Sequence, residues 1–327
     1  MFPLETIRPV PQSRKDRDPD TVMSRSDLWS LIESIRTGVN GLEGKEALSR
    51  AGRIISAFVA GRHKLDPRFA SSHWKRDLLK LSRAFLALGS DKPLPRRWKA
   101  PFRIFNLNGN TKLPFAAFST LPVVTCPGAG ECAGWCYSFT AWRYPSAFSR
   151  QLQNTMLLWF APQLIRTAFA ALPSGVTLRL YVDGDFDSAT TVRLWSHLLS
   201  SRPDVNAYGY SKSWDLLLAH PMPSNYRLNL STGGKSEVPV SAMLALPMTR
   251  GVFATVPVDY RNPKGGRTGF ARYADDKYHD SVREAARASG IVGPIFSCPG
   301  VCGNCAGGKH ACGSDRFKGI TIINGAH

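Results

Sequence analysis

The chain has 327 residues, 43% of them hydrophobic, which is enough to build a sizeable core. No apolar run reaches the length of a membrane span, and the opening "MFPLETIRPVPQSRKDRDPD" lacks the apolar stretch of a secretion signal, so a cytoplasmic protein without membrane contact is expected. Lys and Arg total 42 against 24 Asp and Glu, and the net charge of +18 argues for a polyanionic partner, nucleic acid first.

Residues 1–22 are polar, charged and Pro-containing, and read as a flexible arm. From 23 to 100 the pattern is helical. "SDLWSLIESI", "KEALSRAGRIISAFVAG" and "HWKRDLLKLSRAFLALG" repeat apolar residues at spacings of three and four, and Gly41, Gly61 and Gly89 stand where helices should stop. "DKPLPRRWKAP" reads as a linker. Residues 51–100 hold twelve Lys/Arg against three Asp/Glu, half of the whole net charge. This basic helical unit is the expected nucleic-acid contact, DNA ahead of RNA, with Arg83, Arg96, Arg97 and Lys99 among its candidates.

Residues 101–327 alternate strands with helices. "VTLRLYVDGD" (176–185), 205–213, 226–232 and 252–258 read as strands, as do the shorter "PIFSCP" and "GITIING". Residues 188–201 and 277–290 read as amphipathic helices. The class is α/β: a partial (β/α) barrel or an open, mostly parallel sheet, whose sites gather at the C-terminal strand ends.

Seven cysteines, an odd number, fall in two groups and leave none for ordinary packing. In a reducing compartment that argues for metal or catalysis rather than disulfides. Cys126, Cys132 and Cys136 sit in a Gly-rich loop, where Gly128, Gly130 and Gly134 would let the backbone wrap a bulky object. Three thiolates suit a [4Fe–4S] cluster with one open iron, or zinc completed by a distant ligand. Cys298, Cys302, Cys305 and Cys312 suffice by themselves for a closed zinc or [4Fe–4S] site, with His310 read as a surface residue.

"YVDGDFDS" ends a strand with Asp183, Asp185 and Asp187 at alternate positions. Gly184 and Asp185 are read as functional, Asp187 or Ser188 as a helix cap. Ser211 and Lys212 end the next strand on the same rim. "STGGKS" (231–236) lacks the first glycine of a Walker A motif, but its glycines could cradle an anion. Arg143 and Arg150 are candidate phosphate contacts; Trp142 and Tyr144 either stack on bases or pack inside.

The ordered run "GNTKLP…LPVVTCPGAGECAGWCYSFTAWRY", "LRLYVDGDFDSATTVRLWSHLLSS", "YGYSKS" and the final four-cysteine segment resembles the phage gene-product-88 family over about residues 105–315. That resemblance implies a phage or mobile-element protein. More distantly the layout is similar to radical S-adenosylmethionine (SAM) enzymes. In that likeness Trp135 matches the aromatic beside the third cysteine and Gly184 with Asp185 the acidic motif of the next strand, although the spacing is x5 and x3 rather than x3 and x2. It implies SAM held by Gly184, Asp185 and Ser211, catalytic roles for Asp185 and Lys212, and an auxiliary cluster at the last four cysteines.

The first expectation is therefore an iron–sulfur protein that engages nucleic acid, perhaps catalytically as a radical-SAM-like enzyme. The second is a non-enzymatic DNA-binding regulator with structural or redox-sensing clusters or zinc. A nuclease using Asp183, Asp185 and Asp187 to hold Mg²⁺ comes third.

Overall fold

A computed structural model describes residues 22–92, 99–107, 115–258, 275–300, 302 and 310–325, with the backbone alone for Trp135. The proposed arm, Arg96, Arg97, most of the linker and Cys305 lie outside the described residues. The chain divides into two compact units: residues 1–104, 119–125 and 131–171 form one, and residues 105–118, 126–130 and 172–327 the other. Among the described residues no helix is long and apolar enough to cross a membrane.

The first unit is helical. α1 (Arg25–Gly38) starts at a capping box, in which the Ser24 hydroxyl accepts from Asp27 N–H and Asp27 accepts from Ser24 N–H. α2 (Gly44–Leu65) and α3 (His73–Leu88) follow. α2 runs through Gly61 rather than stopping there; the glycine is an exposed interior position, tolerated at roughly 1 kcal/mol. Gly89 does cap α3, and its bare Cα is what lets the helix end approach α2: an added Cβ would lie 2.5 Å from Ser49 Cβ and 2.6 Å from the Lys45 carbonyl oxygen.

α4 (Pro145–Phe160) and α5 (Pro162–Ala170) belong to this unit too, which therefore extends well past residue 100. α4 buries Gln151, Gln153, Asn154 and Thr155 beside Phe148, Leu152 and Met156. The polar side chains hold irregular backbone. Gln153 exchanges two bonds with Phe102, Asn154 donates to the carbonyls of Ile104 and Ser119, and Thr155 accepts from Leu121 N–H.

The second unit is an open, seven-stranded, all-parallel sheet, of the α/β class expected. Its strands are β1 (Ala116–Ala117), β2 (Thr177–Leu180), β3 (Asn206–Ser211), β4 (Tyr226–Ser231), β5 (Thr249–Val256), β6 (Ile295–Ser297) and β7 (Thr321–Gly325), in the order β1-β2-β3-β4-β5-β7-β6. The crossovers carry α6 (Ala189–Ser200), α7 (Trp214–Ala219), α8 (Val240–Leu244) and α9 (Asp276–Ala288).

A parallel sheet must be covered on both faces. One face packs Ala254, Val256 and Ile323 against Tyr278, Val282 and Ala286 of α9. The opposite face presents Tyr208, Tyr210, Phe253, Phe296 and Ile322, and Cys298, Cys302, Ala311, Cys312 and Phe317 pack on it, the last three from short 3-10 turns at 311–313 and 315–317.

Candidate metal centre

The rim comes first, because it explains the first cysteine loop. Tyr181, just past β2, holds a left-handed φ of 53°, rare for a non-glycine, and its hydroxyl accepts from Trp195 Nε1 at 2.9 Å. This turn sends Asp185 inward. Asp185 is 4% exposed; Oδ1 accepts from the Ser211 hydroxyl (2.7 Å) and Phe186 N–H (2.8 Å), and Oδ2 from Lys212 N–H (2.8 Å). Burial pushes its carboxyl above the ordinary value, and those hydrogen bonds pull the other way. Lys212 turns outward along the rim, and its Nζ donates to the Ser231 hydroxyl at the end of β4 (2.6 Å). The ends of β2, β3 and β4 are thus stitched together by Asp185, Ser211, Lys212 and Ser231. Ser188 is the N-cap of α6 and accepts from Thr191 N–H, so the capping role falls to it.

The loop from Cys126 lies on this rim. Ala129 bridges Gly234, and Lys235 N–H donates to the Gly128 carbonyl at 3.0 Å. A Cβ on Gly128 would stand 1.9 Å from the Lys212 carbonyl oxygen, and one on Gly130 3.0 Å from that of Gly233. These two glycines therefore serve backbone-to-backbone packing on 212–213 and 233–234, where a wrapped cofactor was expected. The same contacts occupy the glycines of "STGGKS", with Gly233 at a φ of 77°. Gly134 faces open space. Cys126 falls in the second unit; Cys132 and Cys136 fall in the first.

The later cysteines converge. Cys312 is buried among Tyr208, Ala311 and Ile322, with Cys298, Cys302, Tyr210, Phe253 and Phe296 packed on the same cluster. The three sulfurs are close enough to act on one another electrostatically. Burial pushes the Cys312 thiol up to about 12; a hydrogen bond from Tyr210 opposes that, Cys298 and Cys302 add to it, and Arg250 opposes it. Burial likewise raises the Tyr208 and Tyr210 hydroxyls, with Cys302 and Cys312 contributing to both.

His310, read as a surface residue, is half-buried. Its ring centroid lies 4.3 Å from that of Tyr208 and 4.5 Å from that of Phe115, its Nδ1 accepts from Gly313 N–H, and burial lowers its pKa to about 4. Neutral and sandwiched, it fixes the turn that carries Cys312.

Beneath the cysteines lies a polar core that the sequence reading missed. Arg250 of β5 is fully buried. Its Nε donates to Asn229 Oδ1 (2.6 Å), Nη1 to the carbonyls of Phe317 (2.7 Å) and Ile320 (2.9 Å), and Nη2 to that of Val252 (3.1 Å). Asn229 Nδ2 in turn donates to the Cys312 carbonyl at 2.9 Å. An arginine two residues ahead of the largely apolar run "VFATV" (252–256) was the available signal. All six described cysteines are outside disulfides, and among the described residues no three His, Cys, Asp or Glu side chains gather into a ready metal cage. That includes Asp183, Asp185 and Asp187.

The family profile of Gene product 88 matches residues 86–309. The chain belongs to the Gene product 88 family. No curated protein and no solved structure matches it. The Gene product 88 match spans β1–β6, the rim and six of the seven cysteines; α1 and α2 precede it, and Cys312 and β7 follow.

The basic candidates among the described residues all fall in the first unit. Arg83, Lys99 and Arg143 are exposed, and Arg143 lies over the ring of Tyr144, which is 59% exposed. Arg150 is half-buried; no acceptor among the described residues reaches its Nε, and burial, then Arg103, lowers its pKa. Trp142 is buried in an aromatic core with Trp29, Phe139 and Phe148, its Nε1 donating to Gln151, and so is no base-stacking platform. Tyr137, which follows the third cysteine, is 60% exposed.

Proposed function

We propose that this Gene product 88 protein is an iron–sulfur protein of a phage or mobile element that binds nucleic acid. In this reading Cys298, Cys302, Cys305 and Cys312 hold a thiolate centre against the sheet, with zinc as the alternative metal. The observation that carries it is the packing of Cys298, Cys302 and Cys312 on one hydrophobic cluster at one face of the sheet. Soft sulfur donors in an apolar pocket suit zinc or an iron–sulfur cluster.

Nucleic acid would meet the first unit, through the guanidiniums of Arg83, Arg143 and Arg150, the ammonium of Lys99 and the exposed rings of Tyr137 and Tyr144. The enzymatic extension places SAM at the rim around Gly184, Asp185 and Ser211. There Asp185 already accepts three protein donors, which makes it a residue that positions Lys212.

The test is anaerobic purification with iron, sulfide and zinc analysis and a visible spectrum. Iron with sulfide and broad visible absorbance supports the iron–sulfur form; zinc without colour supports the alternative; neither metal rejects the centre. Binding to DNA and RNA across a salt series tests the partner, since phosphate contacts weaken steeply with salt. Release of 5′-deoxyadenosine from SAM and dithionite tests the extension, and none released rejects it.

A further inference from the structure

We infer that Arg103 and Arg150, with Lys80 beside them, form a single phosphate site through which the first unit grips a backbone phosphate of nucleic acid. The inference rests on the nucleic-acid reading above and names the place where that partner is held.

The placement begins in the backbone. Gln153 of α4 exchanges two hydrogen bonds with the main chain of Phe102, at 2.8 and 3.0 Å, and Asn154 donates to the Ile104 carbonyl at 3.0 Å. Positions 102 and 104 are therefore fixed along α4. Phe102 and Ile104 are buried, and Arg103 between them is exposed. Arg150 precedes Gln153 and Asn154 by one helical turn and shares their face of α4. One guanidinium thus comes from the pinned segment and the other from the helix that pins it. α3 adds a third cation: the Lys80 Nζ lies 5.2 Å from the ring centroid of Phe102. Trp74 of α3 meets Phe148 of α4 edge-on at 5.8 Å, which packs the two helices together.

The charges here are unbalanced. No ion pair among the described residues involves Lys80, Arg103 or Arg150. Arg150 is half-buried, and among the described residues no acceptor reaches its Nε. Arg62, in the same unit, also has an unmet Nε, but its other nitrogens donate to Asp27 and to the Val22 carbonyl. Arg150 has no such anchor. A guanidinium stays charged, so leaving its buried N–H unmet is costly. Arg103 acts on Arg150 as a like charge, which adds repulsion. A phosphate answers both needs, since its oxygens accept from the guanidinium fork and its charge offsets the pair. A phosphodiester and inorganic phosphate share that chemistry. The exposed Arg83, one turn beyond Lys80 on α3, favours the polymer, because it offers a partner to a second phosphate of the same strand.

The experiment measures binding of duplex DNA and of single-stranded RNA to the full chain across a salt series. It compares wild type with Arg103→Gln, Arg150→Gln, the double variant, and Arg287→Gln of α9 as a control for lost charge alone. Each single variant of the site is expected to bind about tenfold more weakly and to lower the salt slope by about one, while Arg287→Gln keeps the wild-type slope. Because both arginines hold one phosphate, the double variant should lose less than the two single losses combined. Additive losses overturn the single site, and so does a wild-type slope in Arg103→Gln or an equal effect from Arg287→Gln. Should Arg150→Gln not fold, Arg103→Gln, at an exposed position, still decides: a lowered slope supports the site and an unchanged one rejects it. Melting temperatures in inorganic phosphate separate the sources. A rise in wild type that the variants lack, with nucleic-acid binding unchanged in them, assigns the site to free phosphate and overturns the nucleic-acid role. A wild-type chain that binds neither DNA nor RNA rejects the nucleic-acid reading itself, and the site with it.

Discussion

The two cysteine groups look alike in sequence, each dense in cysteine and glycine, and the fold treats them differently. Around Cys126 the glycines are consumed by backbone contact: Gly128 lies against Lys212 and Gly130 against Gly233, and a bridge and a hydrogen bond hold the loop. Around Cys312 the side chains converge, with three cysteines, two tyrosines and a histidine on one sheet face above a buried arginine. A Gly-Cys signature therefore has two separable causes, close packing of main chain and packing of cysteine side chains on one hydrophobic cluster.

The largest expected effect follows from that contrast. On the thiolate reading, Cys298→Ser with Cys312→Ser should abolish metal binding and, where metal stands a thousandfold above its Kd, remove about 4 kcal/mol of stability. Metal analysis and denaturant unfolding would check both. Cys126→Ser should cost less stability, because the bonds to 234 and 235 hold the Cys126 loop. A loss equal to that of the Cys298 and Cys312 pair would erase the distinction drawn here. Gly128→Ala probes the opposite cause. Its Cβ would collide with main chain, not with a flexible side-chain end, so a loss of about 3 kcal/mol is expected, with the metal at Cys298–Cys312 retained. An alanine tolerated at no cost would show that the loop is not clamped as described.

How much of this could be read beforehand depended on whether the cause was local. β2 to β7 and the helices at 189–200 and 276–288 were legible because their apolar periods are strong and their ends are marked by turn residues. β1, two residues long, has no period to detect, and exists because its neighbours dock on β2. α4 was not read as a helix because Gln151, Gln153, Asn154 and Thr155 blur its apolar stripe; their purpose lies in backbone far along the chain. Gly61 failed as a stop signal because helix packing on either side outweighs one residue's propensity. In the site, the cysteines and Asp185 stood out by type. Their setting did not: Tyr208, Asn229 and Arg250 come from three strands and meet Cys312 only through sheet register.

A smaller effect separates the rim from the sulfur pocket. Asp185→Asn replaces a carboxylate that accepts three donors with a group that can accept on one atom alone, at about 1–2 kcal/mol. Its pH dependence has a definite sign. The folded-state value is raised by burial, so the contribution is present below the ordinary carboxylate value and is lost as pH rises through the folded one. The deficit of the variant should therefore be larger in mild acid than at neutral pH, as melting curves of the two proteins would show. A deficit independent of pH would mean that Asp185 does not titrate with this shift.

The smallest effect concerns the far end of the cysteine segment. Arg227 of β4 grips Asp315 through two bonds, Nε to Oδ1 at 2.7 Å and Nη2 to Oδ2 at 2.6 Å, three residues past Cys312. The Asp315 side chain is 60% exposed, so solvent screens the pair, and Asp315→Asn should cost below about 1 kcal/mol. Arg227 holds the Asp315 carboxyl below its ordinary value, so the stabilisation is present above that value and disappears as pH falls through the folded one. Wild type and variant should then differ slightly at neutral pH and low salt, and converge in acid or in high salt. A larger, salt-insensitive loss would place Asp315 with Arg250 among the groups that hold the Cys312 turn, and the clamp would no longer count as a surface ion pair.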